Sequence, residues 1–173
     1  MSILKTNQIT DLGGNELLTS NGSGVISSGG AITNTPAFMV LNDAQISIST
    51  GTNTALTFDT EIYDTNNTVS NGLFTVPSGK AGKYFFTTNC GMKTSNDINE
   101  VVISLAVNSQ TSLSSTAGDV VCTNFFHKGS ADSNIYSISA VFNLSASDTV
   151  GVRVFHNYGS SKNTASDGRC TFS

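Results

Sequence analysis

From Pro36 onward, apolar residues recur at every second position in one short run after another. In Gln45 to Ser49, Ile46 and Ile48 alternate with Ser47 and Ser49. In Ala55 to Ile62, Leu56, Phe58 and Ile62 take one face while Thr57, Asp59 and Glu61 take the other. The pattern continues through Asn99 to Val107, where Val101, Ile103, Leu105 and Val107 share a face, and through Tyr136 to Leu144, where Tyr136, Ile138, Ala140, Phe142 and Leu144 do. Val150, Val152, Val154, His156 and Tyr158 make another such run. Successive side chains of a strand point to opposite sides of its sheet, so this period marks strands with one buried face, and no helical stretch competes with it. Turn-forming segments separate the runs, among them Asp64-Thr-Asn-Asn67, Thr94-Ser-Asn-Asp97, Ser112 to Gly118 and Gly159 to Gly168. About eight to ten short antiparallel strands of this kind predict an all-β sandwich, barrel or jelly roll.

Several runs are apolar on both faces. Phe85 stands opposite Tyr84 and Phe86, Phe125 opposite Phe126, and Phe155 opposite Val154 and His156. One sandwich buries a single face of each sheet, so the second set of aromatics predicts contact between subunits, with cover by loops as the alternative. Phe85, Phe125 and Phe155 are the candidate interface residues.

Residues 1–35 differ from the rest. Asp11-Leu-Gly-Gly-Asn15 and Asn21-Gly-Ser-Gly24 are turn chemistry, and Ser27-Ser-Gly-Gly30 reads as linker. This part has no core of its own and is expected to be an extended N-terminal arm preceding a domain at 36–173. Its apolar residues Ile3, Leu4, Ile9, Leu12, Leu17 and Leu18 are too many for a solvated tail, and they are the candidate anchor onto another molecule.

Composition removes several classes of function. Charged residues are 12% of the chain, with a net charge of −4 and no cluster of Lys or Arg. That lacks the electrostatic attraction on which nucleic-acid binding depends. No run approaches the ~20 apolar residues that span a bilayer, and the opening Met1-Ser-Ile-Leu-Lys5-Thr has no apolar secretion core, so the expectation is synthesis in a cytoplasm without export by the common route. Cys90, Cys122 and Cys170 are odd in number and have no metal-ligand spacing; buried free thiols are the expectation.

Chemistry is equally sparse. His127 and His156 sit on different runs without acidic or cysteine partners at ligand spacing, and Asp119, Asp132, Asp148 and Asp167 do not form the dense pattern of a calcium loop. Gly22-Ser-Gly24-Val-Ile-Ser27 lacks the third glycine of a dinucleotide loop, and no nucleophile elbow occurs. The sequence therefore predicts no catalytic residue, no cofactor and no metal.

The stretch Tyr63-Asp64, Asn71-Gly-Leu-Phe74-Thr-Val-Pro77 and Gly82-Lys-Tyr84-Phe-Phe86 resembles the signature of the complement component 1q/tumour necrosis factor-like jelly rolls. The ending Gly168-Arg-Cys-Thr-Phe172-Ser173 is similar to that family's last strand, and the resemblance covers roughly residues 36–173. Gly72 and Pro77 suit the ends of a short strand carrying Phe74 inward, and Gly82 suits a tight entry to the long central strand. The opening from Ile3 to Asn15, with Leu17 to Gly24, resembles the N-termini of structural proteins of tailed bacteriophages, notably marine ones. Together these resemblances imply a homotrimer within a virion, a head decoration, fibre or tail appendage held to other capsid or tail proteins by its arm. The rival reading keeps the fold and makes the projecting end a host-attachment tip for a receptor or surface glycan. Against that, the loops contain no Trp for stacking on sugars. A secreted signalling ligand fits less well, since the sequence carries no collagen-like stalk.

Overall fold

The computed structural model describes residues 7–23, 25–28, 36–93, 100–108, 121–126, 133–166 and 168–173; for 26–28, 121–126 and 133 it describes the backbone. The chain divides into two units, Met1–Thr35 and Pro36–Ser173.

The first unit is an antiparallel meander of β1 (Gln8–Thr10), β2 (Glu16–Ser20) and β3 (Ile26–Ser28). Local side chains make its turns. Asp11 Oδ1 accepts hydrogen bonds from the backbone N–H groups of Gly13 and Asn15, both at 2.8 Å, and Asn21 Oδ1 does the same for Ser23 at 2.8 Å. The Asn15 side chain, donating to the other Asp11 oxygen, is the largest cause holding that carboxyl below its usual range. The described side chains of this unit are exposed or half-buried.

The second unit is a sandwich, and every regular element among its described residues is a strand. In chain order these are β4 (Phe38–Asn42), β5 (Ser47–Ile48), β6 (Thr54–Ala55), β7 (Thr60–Asp64), β8 (Val69–Ser70), β9 (Leu73–Thr75), β10 (Gly82–Lys93), β11 (Val101–Val107), β12 (Val121–Phe126), β13 (Ser133–Leu144), β14 (Thr149–His156), β15 (Lys162–Asn163) and β16 (Cys170–Phe172). One sheet runs β13-β10-β16-β4-β7 and the other β12-β11-β14-β9-β8, with β6 added to β14 and a small β15-β5 pair beside them. All the pairings are antiparallel. Two sheets with neighbours so far apart in sequence make a jelly roll.

The core follows the alternation. Tyr84, Phe86, Cys90 and Met92 of β10 face Val101, Ile103, Leu105 and Val107 of β11 and Val150, Val152 and Val154 of β14, with Tyr136, Ile138, Phe142 and Leu144 from β13. At one end Phe38, Phe74, Phe86 and Phe172 form an aromatic knot with centroids 4.9–6.3 Å apart. Phe172 arrives on β16, which lies between β10 and β4. Phe74 is carried inward by β9, and Gly72 before it has φ +77°, with the Leu56 carbonyl oxygen where a Cβ would stand. Asp64 holds the next turn by accepting from Val69 N–H at 2.7 Å and Thr68 Oγ1 at 2.9 Å.

Two details depart from simple alternation. Between β6 and β7 the chain crosses from one sheet to the other, since β6 pairs with β14 and β7 with β4. Leu56 is buried and Phe58 half-buried in that crossing, but Ile62, expected on the same face, is exposed on the edge strand. The crossing and a register shift at Met39/Val40 reset which way the residues point. In β11 every residue is buried, including Val102, Ser104 and Ala106, which point away from the core.

Candidate functional site

The long strands β10 and β13 pair along their whole length, so their outward residues form rows across the sheet. Phe85 opposes Val141, Thr87 opposes Ser139, Asn89 opposes Ser137, and Gly91 opposes Ile135. Phe85 is 64% exposed, Val141 62% and Ile135 54%, values far above what large apolar side chains of a covered sheet show. At the other edge of the sheet, Tyr63 of β7 is 47% exposed and stands opposite Met39. An open depression of about 230 Å³ lies between Phe85 and Tyr63 and is floored by Phe38, Phe74 and Tyr84.

A polar belt crosses the middle of this face. Ser137 Oγ and Asn89 Oδ1 are 2.6 Å apart, and Asn89 Nδ2 donates to Thr171 Oγ1 at 3.0 Å. These groups satisfy one another, so the face can be covered without stranding them. Lys83 and Lys93, both exposed, bracket the row at the two ends of β10.

No protein-family model and no curated protein matches the chain. Solved structures do. The globular domain of zebrafish complement 1qA is similar over 80% of this chain and 95% of its own, with 19% identity and a TM-score of 0.55. Murine APRIL, of the tumour necrosis factor family, is similar over 79% of this chain and 94% of its own at 11% identity, with TM-scores of 0.56 at pH 5.0 and 0.52 at pH 8.0. The fold is the complement 1q/tumour necrosis factor-like jelly roll.

Within this jelly roll the residues singled out from sequence part company. Phe85 lies on the outer face of the five-stranded sheet. Phe155, half-buried, lies on the outer face of the opposite sheet, beside Val102, and the backbone of Phe125 pairs with the other side of that same Val102. The side chain of Phe125 lies outside the described residues, and Phe85 and Phe155 do not share a face. Phe85 instead shares its face with Val141, directly opposite, and with Tyr63 across the depression, while Ile135 lies on the same face beyond the polar belt. The signal for Val141 was in the sequence, because it falls between the inward Ala140 and Phe142 of the Tyr136 to Leu144 run.

In the meander, Ile9, Leu12 and Leu17 are exposed and Leu18 is half-buried opposite Ile9; Ile3 and Leu4 lie outside the described residues. His156 is buried in the core. Its Nε2 lies 2.9 Å from the Ile48 carbonyl oxygen and its Nδ1 accepts from Tyr158 N–H at 3.3 Å, which fixes a neutral ring, and burial lowers its pKa. His127, Asp119, Asp132 and Asp167 lie outside the described residues. Asp148 caps a turn, accepting from Asn108 Nδ2 at 3.0 Å and Ser145 N–H at 2.8 Å. Among the described residues no three His, Cys, Asp or Glu side chains gather as a ligand set.

Proposed function

We propose that the chain is a non-enzymatic homotrimeric module whose copies pack through the outer face of the five-stranded sheet. The observation that carries this reading is the exposed apolar group Phe85, Val141, Ile135 and Tyr63 on one face of a sheet that is otherwise well paired. Homotrimers formed by proteins of this fold support the same stoichiometry. Each large side chain removed from water at such a contact contributes ~1.5–3 kcal/mol, and self-satisfied polar groups such as Asn89 add little cost. Light scattering on the full chain is expected to give three times the 18.0 kDa of one chain, and Phe85→Asp one times that mass. A wild-type monomer at micromolar concentration overturns the reading.

Within that frame, the reading extends to a particle: a phage virion protein made in the host cytoplasm, with the jelly roll projecting and the N-terminal unit attached to capsid or tail proteins. The exposed Ile9, Leu12 and Leu17 and the phage-like opening from Ile3 to Asn15 support it. Antibody labelling of purified particles whose genome encodes the chain tests it; particles that carry none of the chain rule it out.

A further inference from the structure

Cys90 on β10 and Cys170 on β16 are buried and free, with their sulfur atoms 4.0 Å apart. The ladder between the two strands explains the approach. Thr87 and Ser173 exchange both backbone hydrogen bonds, at 2.8 and 3.0 Å, and Asn89 stands opposite Thr171. Continuing that register puts Cys90 opposite Cys170 at a non-hydrogen-bonded position. There, opposed Cα atoms approach to ~4.5 Å, inside the ~4.4–6.8 Å that a disulfide spans.

We propose that Cys90 and Cys170 are an oxidisable pair that closes to a cross-strand disulfide and fastens β16 to β10. The co-reactant is a low-molecular-weight disulfide such as oxidised glutathione, met in an oxidising medium once the chain has left the thiol-reducing cytoplasm, when a transient opening of the three-residue β16 exposes both sulfurs. The Cys170 thiolate attacks one sulfur of the reagent and releases one small thiolate, leaving a mixed disulfide. Cys90 gives up its proton, attacks the Cys170 sulfur and expels the second small thiolate. One S–S bond breaks in the reagent and one forms in the protein, with both protein thiols oxidised and two small thiols as the reduced product. The bridge joins residues 80 positions apart and so restricts the unfolded chain strongly. Cys122 is left as the unpaired thiol.

The test uses the full chain, refolded from denaturant either in a glutathione redox buffer or with a phosphine reductant. Thiols are then alkylated under denaturing conditions and the peptides mapped. The oxidised sample is expected to keep one alkylatable thiol of its three cysteines, to yield a Cys90–Cys170 linked peptide, and to melt roughly 5–10 °C above the reduced one. Cys122→Ser is expected to give the same linkage and shift. Three alkylatable thiols after oxidative refolding, a linkage through Cys122, or an oxidised form that melts below the reduced one overturns the proposal.

Discussion

A methyl group added at position 72 would collide with the carbonyl oxygen of Leu56 on a backbone already at φ +77°. Gly72→Ala is therefore expected to cost about 2 kcal/mol or more, read as a lowered urea midpoint with an unchanged slope. Phe172 packs against Phe38 at 4.9 Å and against Phe58 and Phe86 at 5.8 Å, so Phe172→Ala should cost ~3–5 kcal/mol in the same measurement. His156 gives stability a pH dependence. Burial, with Lys162 as a lesser cause, lowers its folded pKa, while in the unfolded chain it takes up a proton near pH ~6.5. Above that pH both states are neutral and the contribution is complete. As pH falls from there to the folded pKa, the unfolded state binds more protons and stability declines. Denaturation midpoints in the full chain should drop on acidification from neutral pH to about 5.5, and His156→Gln should flatten that drop.

At the scale of strands, the two outer faces of the sandwich have different expected roles, and substitutions on each tell them apart. Phe85→Asp on β10 should break the oligomer. Phe155→Ser on β14 should lower the melting temperature and leave the oligomeric mass unchanged, by light scattering on both variants. Much of the strand layout was legible in sequence, because period-two runs such as Val101–Val107 and Tyr136–Leu144 specify a face whatever their partners are. What alternation cannot convey is pairing between distant segments. It gave Leu56, Phe58 and Ile62 one face, since nothing local marks the passage from one sheet to the other. It put Phe85 and Val141 on the outward faces of their own strands but could not set them side by side, since β10 and β13 are far apart along the chain. The juxtaposition of Cys90 and Cys170 was hidden for the same reason.

For the molecule as a whole, the two units are expected to answer to different tests. Replacing Leu12 and Leu17 of the meander by Ser should leave trimer mass and melting temperature unchanged and abolish capture of the chain by purified particles in a sedimentation assay. The jelly roll has its own constraint in the position of β16, inserted between β4 and β10. On a ribosome, the strands at 38–42 and 82–93 emerge long before residues 170–172 and must wait with facing, unpaired edges. The sheet is sealed only when those three residues slide into the slot, which makes closure a late, long-range event of the kind that slows folding and exposes the nascent chain to aggregation. A neighbouring copy's β16 fits the same slot, so strand exchange between copies competes with closure within one chain.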